Sequence, residues 1–294
     1  MSQQRNLVIG ASGLVGRSLM RILGVSGIGT YASHPRPQLR HLDIADGAEV
    51  RACLAEVKPQ IIYLAAALTH VDYCEDHPDE AFRQNAEGAR HVAAEAARHR
   101  SKVVYFSTEY VFDGDNGPYG EEDQTRPLSI YGKSKLEGEQ AVAEACPDAL
   151  AVRTTVVYGW DADSANFAMQ IYRRVRSGAE MTVPDDQIGN PTLAEYLAET
   201  AVELAERGAS GIINVVGNDR IPRSDFARAL VRLYGGNLAR VIPVSTASLG
   251  QKAVRPLNAG LRTDKLENLL GKKAIALDQA LARLEREWHA APLE

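Results

Sequence analysis

Tyr131 and Lys135 stand four residues apart in the run "LSIYGKSKLEGEQAV", whose pattern predicts a helix from about Ile130 to Ala145. Residues i and i+4 share one helix face, so both side chains can meet one ligand. A free tyrosine, with a pKa of about 10, exchanges protons poorly at neutral pH. A neighbouring ammonium favours the phenolate and is expected to bring that pKa down, which makes the pair a candidate for proton transfer to or from a bound oxygen. The alternative is two ordinary side chains on an amphipathic helix, so the pair's weight depends on its surroundings. Upstream, Ser107 and Thr108 end the apolar run "KVVYFST". Hydroxyls at a strand end either cap the chain or face a site.

A second cluster lies at the amino-terminal end. "LVIGASGLVGRSL" places Gly10, Gly13 and Gly16 between an apolar run and a helical pattern, with Ser12, Leu14 and Val15 completing the turn. Glycines let a backbone turn sharply and approach a pyrophosphate, which the free N–H groups and dipole of a helix N-terminus attract. In dinucleotide-binding folds an acid at the end of the second strand binds the adenine ribose. Here "TYASHPRPQLRHLD" offers Ser33, His34, Arg36 and Arg40 instead. A serine and basic groups suit a 2′-phosphate, so NADP(H) is expected in preference to NAD(H). Asp43 and Ile44 are expected at the adenine edge. Ala65, Ala66 and Ala67 end the third strand in small side chains that let a cofactor ribose pass close to the backbone.

Elements that position these residues follow from the hydrophobic pattern. "NLVIG", "IGTYAS", "QIIYLAAA", "KVVYFST" and "LAVRTTVVYG" read as strands, separated by helical segments that include the long "PDEAFRQNAEGARHVAAEAARH". Apolar rather than alternating strands, each followed by a helix, predict a parallel sheet covered on both faces. The fold class is therefore α/β, a doubly wound parallel-sheet Rossmann domain with a smaller, mostly C-terminal substrate lobe. After Gly159 the rhythm breaks. "MTVPDDQIGNPT" reads as loop, and "GIINVVG" as a strand able to return to the main sheet. The expected division is 1–159 plus about 190–217 for the nucleotide domain, and about 160–189 plus 218–294 for the lobe.

Composition narrows the function class. With 45% hydrophobic and 24% charged residues the chain is ordinary for a globular protein. A net charge of −5 gives no general pull toward nucleic acid or anionic membranes. No apolar run approaches the roughly 18 to 20 residues that span a bilayer, and "MSQQRNLVIGASG" lacks the pattern of a signal peptide. Cys53, Cys74 and Cys146 form no CxxC, which suits a reducing, cytoplasmic compartment. No Cys/His cluster has zinc spacing, and "EED" at 121–123 reads as a solvated acidic loop, so no metal is expected. Apolar helix faces that would build a homodimer serve equally well as a monomer's core.

Several segments in order, "GASGLVG", "AAALTHVDYCEDHPDEAFRQNAEG", "STEYVFDG", "PLSIYGKSKLEGE", "VRTTVVYG", "NFA", "DDQIGNPT" and "RPLNAGLRTDKL", resemble the extended short-chain dehydrogenases/reductases. More narrowly they resemble the dTDP-4-dehydrorhamnose reductase family. The resemblance implies NADPH-dependent reduction of the keto group of a nucleotide-activated 4-keto-6-deoxysugar. Tyr131 would donate a proton to the ketone oxygen, Lys135 would sit beside its hydroxyl and the nicotinamide ribose, and Thr108, with Ser107 as the nearby alternative, would stabilise the developing charge. It further implies substrate contacts from Thr69, Val71, Tyr110 and Arg255, and it matches Asn85 to a family asparagine. The chain departs from the family pattern on the substrate side. Glu109 replaces an aspartate, Val156 a tryptophan, Ala259 a serine and Arg262 an aspartate. A 4,6-dehydratase would carry two acids directly after the threonine, whereas Glu109 is followed by Tyr110. The regulatory β subunit of methionine adenosyltransferase resembles the same family, in "FDGDNGPYGEEDQTRPLSIYGKSKLEGEQAV" above all. This keeps an NADP-binding regulatory role open beside sugar reduction and other NADP-dependent carbonyl reduction.

Overall fold

The protein is described by a computed structural model covering residues 5–290. Seven strands form the central sheet: β1 (Asn6–Ile9), β2 (Gly27–Tyr31), β3 (Arg40–His41), β4 (Ile61–Leu64), β5 (Lys102–Thr108), β6 (Leu150–Thr154) and β7 (Gly211–Asn214). Their order is β7-β6-β5-β4-β1-β2-β3, and every pair is parallel. The expected Rossmann sheet is thus present. The order reverses between β1 and β4, and ligands of open parallel sheets bind outside the carboxyl ends of strands at such a point.

Alternation along the strands explains the two cores. Leu7 and Ile9 of β1 face one side with Ile62 and Leu64 of β4. Val8 and Tyr63 face the other. Six helices matter to the site: α1 (Leu14–Leu23), α2 (Gly47–Val57), α3 (Gly88–His99), α4 (Ile130–Ala145), α5 (Ala194–Glu206) and α6 (Arg223–Leu233). On the first face Leu54 of α2, Val92 and Ala96 of α3 and Val142 of α4 pack together. On the second, Leu19 of α1 meets Leu197, Ala201 and Leu204 of α5. Side chains one turn apart thus present one apolar stripe per helix.

Two departures from the sequence reading shape the site. The long Ala-rich helix is interrupted: Pro78–Phe82 runs into a π-helical turn at Arg83–Glu87 before α3. The widened turn carries Asn85, which is buried rather than facing solvent. Asn85 accepts from Leu68 N–H at 2.8 Å, and its amide donates to Leu68 C=O and to Ser134 Oγ, both at 3.0 Å. Secondly, "MTVPDDQIGNPT" is not loop. Met181–Pro184 pairs in parallel with Val241–Val244, Ile188–Gly189 is antiparallel to Ile221–Pro222, and Thr192–Leu193 runs beside Val157–Tyr158. Each piece is very short, and its partner is distant in sequence, so no local period marks it. "GIINVVG" does return to the main sheet, as β7 beside β6.

Candidate active site

The carboxyl ends of β1, β4, β5 and β6 open into one cleft of about 600 Å³. Its nucleotide end is built by the β1–α1 turn. Gly10 has φ +89°, and a Cβ there would lie 2.6 Å from Ala66 N, so the turn lies directly against the end of β4. A Cβ on Gly16 would fall 2.7 Å from Ala11 Cα. These absent side chains leave a cradle at the N-terminus of α1, where no acidic residue occupies the first turn. Its free N–H groups and dipole fit an anionic pyrophosphate, so the residues present suit a dinucleotide. Gly13, Leu14, Val15, Gly16, Ala65 and Ala67 line the cleft.

At the chemical end, Ser129 caps α4 by accepting from Gly132 N–H at 3.1 Å, which starts the helix so that Tyr131 and Lys135 both face the cleft. Ser107, Thr108, Thr69, Val71 and Tyr110 line it as well. Tyr110 meets the Tyr131 ring edge-on at 5.4 Å. Lys135 Nζ lies over the Tyr105 ring, 4.1 Å from its centre.

The electrostatics differ from the sequence expectation. Tyr131 is not brought down in pKa. Burial pushes it up, Glu109 adds to the rise, and hydrogen bonding with Thr108 only partly opposes them. Burial also lowers Lys135 to about 7 against the raising effect of Glu139, so the ammonium expected to lower Tyr131 is itself disfavoured. Glu109 is pushed up to about 7 by burial, opposed by the hydrogen bond from Thr108 and by the charge of Arg223.

A second pocket adjoins the first. Glu109, Tyr110, Val156 and Arg223 border both, and Gln187, Pro256 and Ala259 continue the wall. Val156 has φ +44°, an uncommon conformation for a β-branched residue, and breaks the strand between Thr154 and Val157. Arg255 is not on either lining. It pairs with Asp72 at 3.0 Å, and its Nη1 is buried without a partner.

Other expected residues lie apart from the cleft. Gly10 and Ala66 pack against each other behind the cleft lining, and Ser12 is half-buried in the turn. Ser33 and His34 are exposed, and Ser33 Oγ and His34 Nδ1 are 2.8 Å apart. Arg36 pairs with Asp163 at 2.8 Å, and Arg17 pairs with Asp161. Asp43 accepts from Ala45 N–H and Gln84, and Ile44 packs beneath Gly88. The "EED" loop is less solvated than expected, because Glu121 accepts from the Asn214 N–H and its carbonyl accepts from Arg153. Among the described residues no group of three or more His, Cys, Asp or Glu is placed to hold a metal ion, and no helix is long and apolar enough to cross a membrane. Sequence reasoning missed Arg223, which reaches the cleft from the head of α6 and lies over the Phe167 ring at 5.1 Å. It also missed Gln187: the segment "DDQIGNPT" that holds it is recognisable, but nothing in its spacing singles out the glutamine, and Arg223 sits in no local motif.

Residues 4–289 match the model of the RmlD substrate binding domain. A dTDP-4-dehydrorhamnose reductase of Streptomyces griseus is 38% identical over 86% of this chain and 83% of its own length. Methionine adenosyltransferase 2 subunit beta of Danio rerio is 32% identical over 91% of this chain and 85% of its own. Among solved structures, a dTDP-4-dehydrorhamnose reductase of Clostridium acetobutylicum superposes with a TM-score of 0.90 at 31% identity, covering 97% of this chain and all of the other. One from Bacillus anthracis, solved in complex with NADP, gives 0.86 at 30% identity, over 97% and 99% of the two chains. The chain, matched along nearly its whole length, belongs to the RmlD substrate binding domain family, alongside the dTDP-4-dehydrorhamnose reductases.

Proposed function

We propose that this chain is an NADPH-dependent reductase of the 4-keto group of a nucleotide-activated 6-deoxysugar. The observation that carries the reading is one continuous cleft bordered by the glycine turn at one end and by Thr108, Tyr131 and Lys135 at the other. When bound, NADPH supplies a hydride to the keto carbon. The chain's residues do the rest. Gly10, Ser12, Gly13, Leu14, Val15 and Gly16 receive the pyrophosphate, Ala65, Ala66, Ala67 and Ser107 border the ribose path, and Asp43 and Ile44 support the adenine side. Tyr131 holds the proton that the keto oxygen takes as it becomes a hydroxyl. Its raised pKa keeps that proton in place at neutral pH. Lys135 holds Tyr131 and the nicotinamide ribose, and Thr108 meets the developing negative charge.

Thr69, Val71 and Tyr110 border the sugar, with Arg255 behind Tyr110. Val156 in place of a tryptophan leaves more room there, so a sugar other than the rhamnose precursor fits this wall. Ser33, His34 and Arg36, with no acid at the end of β2, support NADPH over NADH. Residues 1–159 with 190–217 would hold the cofactor, and 160–189 with 218–294 would close on the sugar from above. Both substrates belong to cytoplasmic metabolism, which is the compartment we assign.

Tyr131→Phe tests the reading. It is expected to lower kcat about 100-fold or more while leaving the NADPH Kd nearly unchanged. Wild-type kcat in this variant with a turned-over keto sugar would remove Tyr131 as proton donor. The second reading, an NADP-binding regulatory subunit, draws support from the 32% identity to methionine adenosyltransferase 2 subunit beta. It predicts NADPH binding with no turnover of any keto-sugar nucleotide.

A further inference from the structure

Thr108 has one hydroxyl proton, and with Glu109 ionised the carboxylate beside it is its acceptor. Thr108 Oγ1 donates to the Glu109 carboxylate at 2.8 Å. The same oxygen accepts from Tyr110 N–H at 3.2 Å. Both side chains are buried, so water does not readily replace either bond. A hydroxyl whose proton points at a carboxylate has only a lone pair left to offer a ligand. In this arrangement Thr108 accepts a hydrogen bond and donates none to a keto oxygen.

We infer that Glu109 is a positioning residue that sets the polarity of the Thr108 hydroxyl, and that Thr108 becomes a donor to the substrate oxygen only when Glu109 carries a proton. A neutral Glu109 donates its own O–H to Thr108 Oγ1. Thr108 then turns its proton toward the cleft, and the keto oxygen receives two donors, Tyr131 and Thr108. An ionised Glu109 reverses the chain and leaves one. The two states differ by the one proton that Glu109 gives up to solvent on ionising, and the direction of the Thr108–Glu109 hydrogen bond changes with it. The inference rests on the proposed ketone reduction for its catalytic consequence, and on the hydrogen bonds alone for its existence.

Groups around Glu109 make the balance sensitive. Arg223 from α6 favours the carboxylate. Tyr110 and Tyr131 face it, and both are pushed up in pKa by burial, to which its charge adds. Arg255 acts on Tyr110 and Arg223, and Cys74 on Tyr131. Burial, which outweighs these charges, brings the carboxyl to about 7, so both states are populated near neutrality. Lys135, lowered to about 7 by burial, titrates in the same window from the other side of Tyr131. Any test must therefore separate the two.

The kinetic arm measures kcat/KM against pH, from about pH 5 to about pH 9, with NADPH and a keto-sugar nucleotide, for the native chain, Glu109→Gln and Thr108→Val. The amide introduced by Glu109→Gln cannot ionise, so the activity loss on the alkaline side that belongs to Glu109 disappears in that variant, and Thr108→Val removes it too. An alkaline limb unchanged in Glu109→Gln belongs to Lys135 and overturns the inference. The second arm needs no turnover. Infrared difference spectra follow the carboxyl band that Glu109→Gln abolishes, in the native chain and in Thr108→Val. Loss of the Thr108 donor removes a bond that favours the carboxylate, so the midpoint is expected to move up. An unmoved midpoint overturns the coupling whether or not a keto sugar is reduced, while a moved midpoint without turnover faults only the functional reading.

Discussion

Arg153 and Glu139 form an ion pair sealed beneath the site. Arg153 Nη2 donates to Glu139 Oε1 at 2.6 Å and Nε to Oε2 at 3.1 Å, with only 3% and 5% of the two side chains exposed. The guanidinium also lies over the Phe112 ring at 5.1 Å and donates to Glu121 C=O. Arg153→Met removes one partner and leaves a buried carboxylate uncompensated, which costs about 3 to 5 kcal/mol. Lys135, one turn before Glu139 on α4, feels that carboxylate and recovers part of the loss, so we place the cost near the lower end, about 3 kcal/mol. For a chain of this length that is a fall in Tm of about 5 °C. Replacing both partners, Arg153→Met with Glu139→Met, removes the charges together and is expected to lie within about 1 kcal/mol of the native chain. Urea unfolding of the native protein, both single variants and the double gives the coupling directly. Additive losses, with the double as unstable as the two singles summed, would refute the claim that the pair acts as one buried unit. Activity adds a separate reading. The double variant regains stability yet still lacks the charge that raises the Lys135 pKa, so its turnover falls at a lower pH than in the native chain.

Two further outcomes follow from the site. Glu109 holds its proton more tightly folded than unfolded, about 7 against 4.5, so its contribution to stability is full below the unfolded value and is lost as pH rises through about 7, on the order of 3 kcal/mol. Urea unfolding of the cofactor-free protein should therefore show Glu109→Gln gaining stability relative to the native chain over that window, and a flat difference would contradict the burial argument. Gly16→Ala places a Cβ against the backbone of Gly10 and Ala11, so it is expected to destabilise by about 1 to 3 kcal/mol and to weaken NADPH binding by more than its loss of stability implies. An unaltered Kd and Tm would show that the cradle has room to spare.

The sequence pattern carries the parts of this molecule that local chemistry dictates. Apolar four-residue runs such as "NLVI" and "IIYL" are buried on both faces and read directly as central strands. Ser129, Tyr131 and Lys135 are spaced by one helix, so their shared face follows from the chain itself. What stays hidden depends on distant segments. Arg223 reaches the cleft, and Gln187 the adjoining pocket, through packing of α6 and of a two-residue strand pair, and no spacing near either residue marks it. The π-helical turn at Asn85 is set by bonds to Leu68 and Ser134, far away in sequence. The charge states escape the sequence for a related reason: proximity of Lys135 to Tyr131 is legible, but the burial that raises one pKa and lowers the other is a property of the closed fold.

Asn85 has a mechanical consequence. One amide, through Leu68 and Ser134, ties the segment that borders the nucleotide to the helix that carries Tyr131, and Gly138 of α4 lets that helix lie flush against the Asn85 backbone. Every one of these links is buried or half-buried, so the two ends of the cleft on this side behave as one fixed jaw. The facing wall is fastened differently. Gln187 and Asp186 reach Thr246 through half-buried side-chain bonds, and Arg220 meets Asn258 in the open. On the proposed function, admission of a bulky substrate would fall to the wall that carries Gln187, Arg223 and Pro256, and the distance between the glycine turn and Tyr131 would be held by the Asn85 links.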